Sequence, residues 1–540
     1  NSLYTQKLYA SSNTTITDGG KNGHYTEARA YNTQTYGDVM VNINKTFGDD
    51  WSLNANIGAS INNIKTDELS YRGPIQENGL PNVFNVFDLD DTKKRAEKTG
   101  WHDQTQSLFA SVEVGWRQML YLTVTGRNDW ASQLANSPSS SFFYPSVGLS
   151  WVPTSTWDLG EALSYLKIRG SIASVGMPFP RHLTIPTYEY DATNRVWKDK
   201  THYPIGDLKP ERTTTYEVGL DARLWQRISL SASWYQADTK NQTFDPSLPP
   251  SSSYTTIYLQ TGHVRNTGVE LSAGYDNQWR DFRWATNFTY SWNRNEIIEL
   301  AANAVNPVTG EPLNLNKLDI KGLGKAKYIL KEGGTLGDLY TTSDLRFNDN
   351  GYVEVDKNGN LLLTDEGDDI YLGSVFPDHN LAWRNDFSWK GINLGVLFTA
   401  RIGGICYSAT QANLDLYGVS EASAAARDAG GVWINGREMV DAQKWYQAIG
   451  SQSGLPQYYT YSATNIRLQE LSLGYTLPAK WFRDKMRMTV SFVGRNLWMI
   501  YCKAPFDPEA VASTGLSYQG IDYFMMPSLR SLGFNVKFEF

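Results

Sequence analysis

Residues 51–62 read Trp-Ser-Leu-Asn-Ala-Asn-Ile-Gly-Ala-Ser-Ile-Asn, so that every odd position is apolar and every even position is small or polar. This period of two is typical of a β-strand that has one apolar and one polar face. The same alternation returns in residues 216–224 and 228–234, which are separated by a very short connection. Two such segments predict an antiparallel hairpin, and the chain is predicted to be all-β.

Alternating segments recur along the chain, and many run for about 10 to 14 residues. Strands of soluble proteins usually have 5 or 6 residues, whereas strands that cross an outer membrane need about 9 to 11. A soluble sandwich with one hydrated face shows the same alternation, but the strand length favours a membrane barrel. About sixteen strands are predicted, near residues 2–12, 31–46, 51–66, 105–116, 118–128, 143–152, 165–174, 213–226, 227–241, 264–279, 281–293, 379–390, 391–403, 463–477, 485–496 and 527–540.

The connections between these strands alternate between very short turns and long irregular stretches. Outer-membrane barrels show this asymmetry, with short periplasmic turns and long extracellular loops. The long loops are predicted at about 67–104, 175–212, 294–378, 404–462 and 497–526. A break in the alternation at Gln469-Glu470 predicts a β-bulge. The terminal aromatic residue, Phe540, is predicted to lie on the lipid face.

Composition excludes several classes of protein. The 540 residues are 41% hydrophobic and 19% charged, which is too apolar for a disordered chain. The sequence contains no run of about 18 apolar residues, so no membrane-spanning helix is predicted. A net charge of −7 without a dense basic stretch argues against nucleic acid as a partner. Cys406 and Cys502 are too few for a disulfide framework, although they allow one bridge. The chain begins without an initiator Met or a signal core, which predicts processing or a longer parent protein.

A series of short motifs occurs in a fixed order between about residue 110 and the end of the chain. They are Gly-Arg-Asn-Asp at 126–129, Leu-Lys-Pro-Glu-Arg-Thr at 208–213, Val-Arg-Asn-Thr-Gly-Val-Glu at 264–270, Ile-Arg-Leu-Gln-Glu-Leu-Ser-Leu-Gly-Tyr at 466–475, Gly-Arg-Asn-Leu at 494–497, Phe-Asp-Pro-Glu at 506–509 and Pro-Ser-Leu-Arg-Ser at 527–531. Each motif is short, but their number and order resemble the SusC/RagA-like TonB-dependent outer-membrane transporters.

The resemblance implies a bacterial outer-membrane location and a transmembrane antiparallel barrel of 22 strands that is filled by an N-terminal plug. It also implies a SusD-like lipoprotein on the extracellular face, coupling to the TonB complex through the plug, and contact with outer-membrane lipid. Residues 1–540 lack a plug and hold about sixteen strands, so they are interpreted as the C-terminal portion of such a barrel. One alternative for the assembly is a dimer of two transporter–lipoprotein pairs.

The implied function is the TonB-dependent import of oligosaccharides, and oligopeptides are the alternative substrate within the same family. A passive porin or an adhesin barrel is the alternative outside the family, because sixteen strands is a porin size. Transport of this kind involves no covalent chemistry.

No catalytic constellation, metal site or cofactor motif is apparent, and the protein is predicted not to be an enzyme. The histidines are scattered without zinc-ligand spacing, and no glycine-rich phosphate loop is present. An outer-membrane protease or lipase would need a Ser-His or His-Asp pair at the barrel rim. The segment 344–369 is rich in Asp, Asn and Gly, which are typical both of a calcium-binding site and of hairpin turns. The dipeptides Asn350-Gly351 and Asn358-Gly359 favour hairpin turns.

The stretch 404–462 holds the candidate substrate-binding residues. Aromatic rings stack on the apolar faces of sugars, while amide and charged groups bond to sugar hydroxyls. The same residues also suit the core of the loop or a contact with the lipoprotein. Helices are predicted at 422–429 and 439–449, so the loop is expected to be folded. The candidates are Asp415, Tyr417, Trp433, Asn435, Arg437, Trp445, Tyr458 and Tyr459.

The polar faces of the strands supply a second group of residues. Glu217, Asp221, Arg223 and Asn287 all occupy the polar phase of their strands and are predicted to face the barrel lumen. Contact with the plug and with water is the favoured role for these side chains, and direct contact with substrate is the alternative.

Overall fold

The structure is a computed structural model that describes residues 2–10, 20–181, 183–184, 189–191, 196–198, 202–203, 208–244, 256–257, 259–300, 317–364, 367, 369–436, 438–513, 515 and 518–539. A few residues singled out in the sequence lie outside these ranges. They are the candidate Arg437, the terminal Phe540, His182, and the acidic residues Asp365, Glu366 and Asp368.

Sixteen antiparallel strands form one sheet in which neighbours follow the order of the chain. The predicted number is confirmed within the described residues, and every predicted strand overlaps an observed one. The strands are β1 (Ser2–Leu8), β2 (His24–Phe47), β3 (Trp51–Pro74), β4 (Arg95–Trp116), β5 (Leu120–Ala131), β6 (Phe142–Trp151), β7 (Leu163–Met177), β8 (Glu211–Leu224), β9 (Ile228–Phe244), β10 (Leu259–Trp279), β11 (Phe282–Glu299), β12 (His379–Trp389), β13 (Ile392–Ile402), β14 (Asn465–Thr476), β15 (Arg487–Cys502) and β16 (Ser531–Glu539).

The apolar face of the sheet is more exposed than its polar face, which is the reverse of a water-soluble sheet. In β3, 59% of Ile57 is exposed but only 9% of Ser60. Leu220 in β8 and Phe288 in β11 are also exposed and lie on the same face as Ile57. A continuous exposed apolar surface of this kind is typical of contact with lipid.

The longest strands extend far beyond the apolar band, and this corrects one predicted boundary. The connection expected at 67–104 spans only residues 75–94, because β3 continues to Pro74 and β4 begins at Arg95. β2 and β3 have 24 residues each, or about 80 Å of strand, whereas the apolar band of such barrels is about 25 Å tall. Outside the band both faces are mostly polar, so the alternation fades while the backbone pairing continues.

The short turns and the bulge are confirmed. Trp225 and Gln226 have positive φ angles of 47° and 58°, as tight hairpin turns require. At the turn between β12 and β13, a Cβ on Gly391 would lie 2.8 Å from the carbonyl oxygen of Thr476, so only glycine fits there. In β14, Leu468 and Glu470 pair with two consecutive residues of β13, which places Gln469 in a bulge.

Both ends of the sheet are open in the part of the chain that the structure describes. β1 pairs only with β2, along residues 24–30, and β16 pairs only with β15. Residues 31–47 of β2 therefore present an edge without a partner strand, and so does one side of β16.

Smaller elements lie in the connections. Three helices, α1 (Ala409–Leu416), α2 (Glu421–Asp428) and α3 (Ala442–Ile449), have eight residues each. No described helix is long and apolar enough to cross a membrane. Single 3-10 turns lie at Val86–Asp88, Ser132–Leu134, Pro153–Ser155, Pro456–Tyr459 and Ala479–Phe482, and short strands at Glu189–Asp191, Val196–Lys198, His202–Tyr203, Thr256–Ile257, Lys317–Leu323, Ala326–Lys331, Asp338–Thr341, Ile370–Ser374, Ile405–Ser408, Val432–Ile434, Glu438–Val440, Thr460–Ser462 and Ile521–Asp522.

The largest buried apolar core lies at one end of the sixteen-stranded sheet and includes Val264 of β10 and Ile297 of β11. It is built mainly from the connections 317–378, 404–462 and 503–526, which we call the cap. Tyr328 and Tyr407 are fully buried there. The cap therefore has its own hydrophobic core and is a folded unit at the end of the sheet that carries the long connections.

The alternative of a disulfide bridge is not realised in the structure. Cys406 and Cys502 are both free thiols, and Cys406 is fully buried in the cap core.

Candidate functional site

The three helices of the cap begin at side chains that cap them. Ser408, Ser420 and Asp441 each accept a hydrogen bond from a backbone N–H in the first turn of α1, α2 and α3, respectively. The helices predicted at 422–429 and 439–449 are confirmed, except that residues 438–440 form a short strand that pairs with Val432–Ile434. Helix α1 was not predicted, because its sequence, Ala-Thr-Gln-Ala-Asn-Leu-Asp-Leu, carries only a weak apolar period.

The Asp- and Asn-rich segment of the cap forms hairpin turns, as the sequence favours. Three stretches spaced by eight residues bond in a ring: Arg346 N–H donates to Leu362 O, Leu362 N–H to Glu354 O, and Glu354 N–H to Arg346 O. Within the turns, side-chain oxygens of Asn348 and Asp356 accept backbone N–H groups. The side chains of Asn348 and Asp356 therefore serve the turns, and the described residues contain no group of ligands that could hold a metal.

The cap rests on the polar face of the sheet. Asn295 in β11 lies on the same face as Asn287, and its side-chain oxygen accepts the Leu336 N–H at 2.8 Å. Its amide nitrogen donates to Asn266 Oδ1 at 3.0 Å, and only 8% of Asn295 is exposed. Ile297, two residues farther along β11, exchanges backbone hydrogen bonds with Gly333 and Gly334. The cap is thus fixed over the polar face of the sixteen-stranded sheet, which we call the wall.

A buried ionic cluster forms a second anchor between wall and cap. Arg467 in β14 forms ion pairs with Asp507 and Glu509. Asn465 lies within the same cluster, where it accepts from Arg467 Nε and donates to Glu509. Burial alone would raise the pKa of Asp507, but its hydrogen bonds, chiefly from Arg467, hold that pKa below its usual value. Asp507 therefore remains charged in the folded cap.

Three of the predicted substrate-binding residues are exposed on the cap. The exposed fractions are 75% for Tyr417, 65% for Trp433 and 39% for Tyr458. Trp445 is half-buried, and its ring meets the Tyr458 ring edge-on at 6.2 Å. The exposed rings, which we call together the aromatic surface of the cap, are accessible to ligands.

Three other candidates are engaged in hydrogen bonds within the cap, in line with the alternative in which these residues build the core of the loop. Asp415 and Tyr459 are both buried, and the Tyr459 hydroxyl donates to the Asp415 carboxylate at 2.8 Å. Burial and this carboxylate raise the pKa of Tyr459. The Asn435 amide bonds to both the N–H and the carbonyl of Val353. Arg437 lies outside the described residues.

A small cavity of about 160 Å³ opens between the three helices. Its lining includes the side chains of Tyr417, Arg427, Gln443 and Tyr446, with Asp415 at its base. The Arg427 guanidinium donates to the Gly418 carbonyl beside the cavity. The sequence did not single out Arg427 or Gln443, although both belong to segments predicted to be helical. The arrangement combines aromatic faces with donors and acceptors next to the exposed aromatic surface.

The polar wall carries a network of ion pairs that includes the residues predicted to face the lumen. Arg169 donates to Asp221 at 2.6 Å and to Glu217 at 3.3 Å, and Ser231 donates to the same aspartate at 2.7 Å. Asn287 lies on the same face through the strand register. Arg169 was not predicted from the sequence, although its place between Ile168 and Gly170 in an alternating strand was the available signal.

Comparison with known proteins gives a consistent set of relatives. The family model described as "TonB dependent receptor-like, beta-barrel" matches residues 1–396. "TonB-dependent receptor P3" of Formosa agariphila is 25% identical over 97% of this chain and 54% of that protein. "TonB-dependent receptor SusC" of Bacteroides thetaiotaomicron is 22% identical over 69% of this chain and 38% of that protein.

Solved structures share the fold. A structure of the RagAB peptide transporter aligns with a TM-score of 0.71 and 19% identity, over 96% of this chain and 56% of that one. A structure of the RagAB peptide importer in the open-open state gives 0.72 and 17% identity over 99% and 57%. The chain spans about half the length of the curated relatives it matches.

Proposed function

The chain belongs to the family of TonB-dependent receptor-like β-barrels, and we propose that it forms the C-terminal part of an importer of oligosaccharides. The resemblance to SusC/RagA-like transporters predicted from the motifs is confirmed. Proteins of this family are outer-membrane transport proteins and not enzymes, which agrees with the predicted location and with the prediction of no enzymatic activity.

The open edges of the sheet support the proposal that residues 1–540 are part of a larger barrel. An unpaired strand edge inside a bilayer leaves backbone N–H and C=O groups without partners, at several kcal/mol each. Further strands that pair with β2 and β16 would remove this cost and bring the barrel to 22 strands. A plug in the lumen would meet the polar wall at Glu217, Asp221, Arg223 and Asn287.

The observation that carries the choice of substrate is the aromatic surface of the cap. Tyr417 lines a cavity that also has an arginine and a glutamine in its lining, and Trp433 and Tyr458 are further exposed rings of the cap. Ring faces pack against the C–H faces of sugars, and the polar groups bond to hydroxyls. The cap is fixed over the polar wall, so a bound chain would lie at the entrance to the lumen.

The proposed partners follow from the family resemblance. A SusD-like lipoprotein on the extracellular side would close over the cap, and the TonB complex would act through the plug. The surface around Tyr417 and Trp433 also suits contact with the lipoprotein, because Tyr and Trp are enriched at protein interfaces. Two transporter–lipoprotein pairs associating as a dimer is part of the same proposal.

Uptake assays in a deletion strain of the host test the proposal. Cells lacking the full-length transporter are supplied with fluorescent neutral oligosaccharides or with fluorescent oligopeptides, in the presence and absence of a protonophore. We expect oligosaccharide uptake that depends on the transporter and is abolished by the protonophore. The Tyr417→Ala, Trp433→Ala double variant should restore little uptake, while Trp481→Ala, which changes an exposed ring at the opposite end of the sheet, should restore it fully.

Two results would overturn this function. If the deletion strain loses only oligopeptide uptake, the protein is a peptide importer. If oligosaccharide uptake is the same with and without the protonophore, the protein is a passive porin.

A further inference from the structure

A second cavity lies in the polar wall, away from the cap. It has a volume of about 560 Å³ and is formed at the long-connection end of β4, β7, β8 and β9. Glu211 of β8 pairs directly with Met177 of β7, and the alternation places both on the same face as Arg169 and Glu217. The cavity therefore opens toward the same side of the sheet that the cap covers, beside the sector of the wall that carries the cap.

One side of this cavity is a fixed pair of opposite charges. Arg181 donates to both carboxylate oxygens of Asp103 at 2.9 to 3.3 Å. Its guanidinium also lies 3.9 Å from the centre of the Trp101 ring. An arginine held in this way loses little further freedom when a ligand binds, because its orientation is already set.

The other side of the cavity is apolar. Phe179 lines the cavity and is held in a small buried cluster with Leu134 and Leu208. Met177 is 63% exposed and lines the cavity.

An acceptor in the lining lacks a donor. Gln133 Oε1 is buried and has no hydrogen-bond partner among the described residues. A buried polar atom without a partner costs about 1–3 kcal/mol, so a ligand hydroxyl that donates to it would recover that energy.

We propose that this cavity binds a neutral mono- or disaccharide unit of the transported substrate, with an apolar ring face against Met177 and Phe179 and hydroxyls on Asp103, Arg181 and Gln133. A neutral ligand is favoured because an anion would meet Asp103 and Glu211, whereas a cation would meet Arg181. This inference rests on the proposed function and adds a second subsite, in the wall, to the surface on the cap.

Saturation-transfer NMR on the purified full-length transporter in detergent tests this site. The probes are glucose, galactose, mannose, xylose, fucose, rhamnose, maltose and cellobiose, with triglycine and glucuronate as the peptide and anionic probes. Met177→Trp fills part of the cavity without removing a hydrogen bond. Val175→Trp places the same ring on the same face of β7, two residues away, and is the matched control.

We expect a signal from at least one neutral sugar that Met177→Trp weakens about tenfold, or about 1.4 kcal/mol, because the larger ring occupies the space of the sugar, and that Val175→Trp leaves unchanged. Gln133→Met, which keeps the side-chain length but removes the acceptor, should weaken the same signal. The proposal is overturned if no neutral sugar gives a signal sensitive to Met177→Trp, or if triglycine or glucuronate alone does so.

The uptake assay separates this failure from failure of the proposed function. Oligosaccharide uptake that Met177→Trp leaves intact would reject the wall subsite while keeping the importer. Absence of any oligosaccharide uptake would reject both.

Discussion

Arg467 in β14 donates to both carboxylate oxygens of Asp507, through Nη1 at 3.2 Å and Nη2 at 2.5 Å, and so joins the wall to the cap. The two side chains are only 3% and 10% exposed, so each charge depends on the other. Removal of Asp507 leaves the buried Arg467 with Glu509, which is 41% exposed, as its remaining ion-pair partner. We expect Asp507→Asn to destabilise the cap by about 3 kcal/mol, the low end of the cost of breaking a buried ion pair, measured by native-state hydrogen exchange of cap amides.

The matched comparison is Lys65→Gln, which breaks the exposed pair with Asp67. That change should cost no more than about 1 kcal/mol. Equal protection in the wild type and Asp507→Asn would contradict the anchoring role.

The same carboxylate gives an expected acid dependence. The pKa of Asp507 is below its usual value in the folded protein, so its contribution is complete above the unfolded pKa of about 3.9. That contribution is lost as the pH falls through the folded pKa. Protection of cap amides should therefore hold from pH 7 to about 4.5 and decline below about 4, and the Asp507→Asn variant should show less of this decline.

The two faces of the wall should respond differently to charge. Leu220→Arg and Phe288→Arg place an arginine on the exposed apolar face and should destabilise the folded protein in bilayers by about 2–4 kcal/mol. Thr289→Arg makes the same change one residue along β11 on the polar face and should have little effect, as should Asn287→Ala. Urea unfolding in lipid vesicles measures the difference. Equal costs at Phe288 and Thr289 would invalidate the assignment of faces.

Exposed and buried aromatic residues of the cap should separate binding from stability. Trp433→Ala should weaken oligosaccharide binding about fivefold, which is about 1 kcal/mol for one stacked ring. Tyr459→Phe removes the donor to Asp415 and should lower cap stability by about 1–3 kcal/mol while the affinity of the folded protein is unchanged. Calorimetric titration with the oligosaccharide proposed as substrate measures the first effect, and thermal unfolding measures the second. A large loss of oligosaccharide affinity in the Tyr459→Phe variant would show that Tyr459 contributes to ligand binding.

The two thiols should differ in reactivity. Burial raises the pKa of Cys406 to about 12, and the side chain has no exposed surface, so maleimide at pH 8 should not modify it in the folded protein. Cys502 is half-buried and should react slowly. Mass spectrometry of labelled protein, with Cys502→Ser as the control, checks this expectation. Rapid labelling of Cys406 would show that the cap core opens readily.

The sequence was most informative where one face of a strand meets lipid. The alternation in β3, β8 and β11 predicted the fold because successive residues face two very different environments, lipid on one side of the sheet and a polar surface on the other. The signal ended where β3 and β4 leave the apolar band, so residues 67–74 and 95–104 were assigned to a loop although the backbone ladder continues through them.

The candidate site was predicted only in part, since residue type does not distinguish a ligand contact from a buried hydrogen bond. Tyr417 and Tyr459 have the same chemistry, but the first lies on the surface and the second donates to Asp415 in the interior. That difference depends on how α1 packs against α3 and the 3-10 turn at Pro456–Tyr459, which are long-range contacts that local patterns do not encode. Arg181 and Gln133 were missed for the same reason, because their cavity joins four strands.

The neighbour order of the sheet bears on how the protein reaches its native state. Every strand of the sheet from β2 to β16 pairs with the sheet strand that precedes it in the chain, so the sheet can grow by adding one strand after another to an existing edge. Each addition closes only the intervening connection, and the entropic cost of closure rises slowly with its length. The connections that build the cap join β11 to β12, β13 to β14 and β15 to β16, so its core becomes complete only after the last strands have paired. Assembly is therefore expected to finish at the cap. If assembly stops before the last strands pair, the chains that accumulate should have most of the sheet formed and the cap core incomplete.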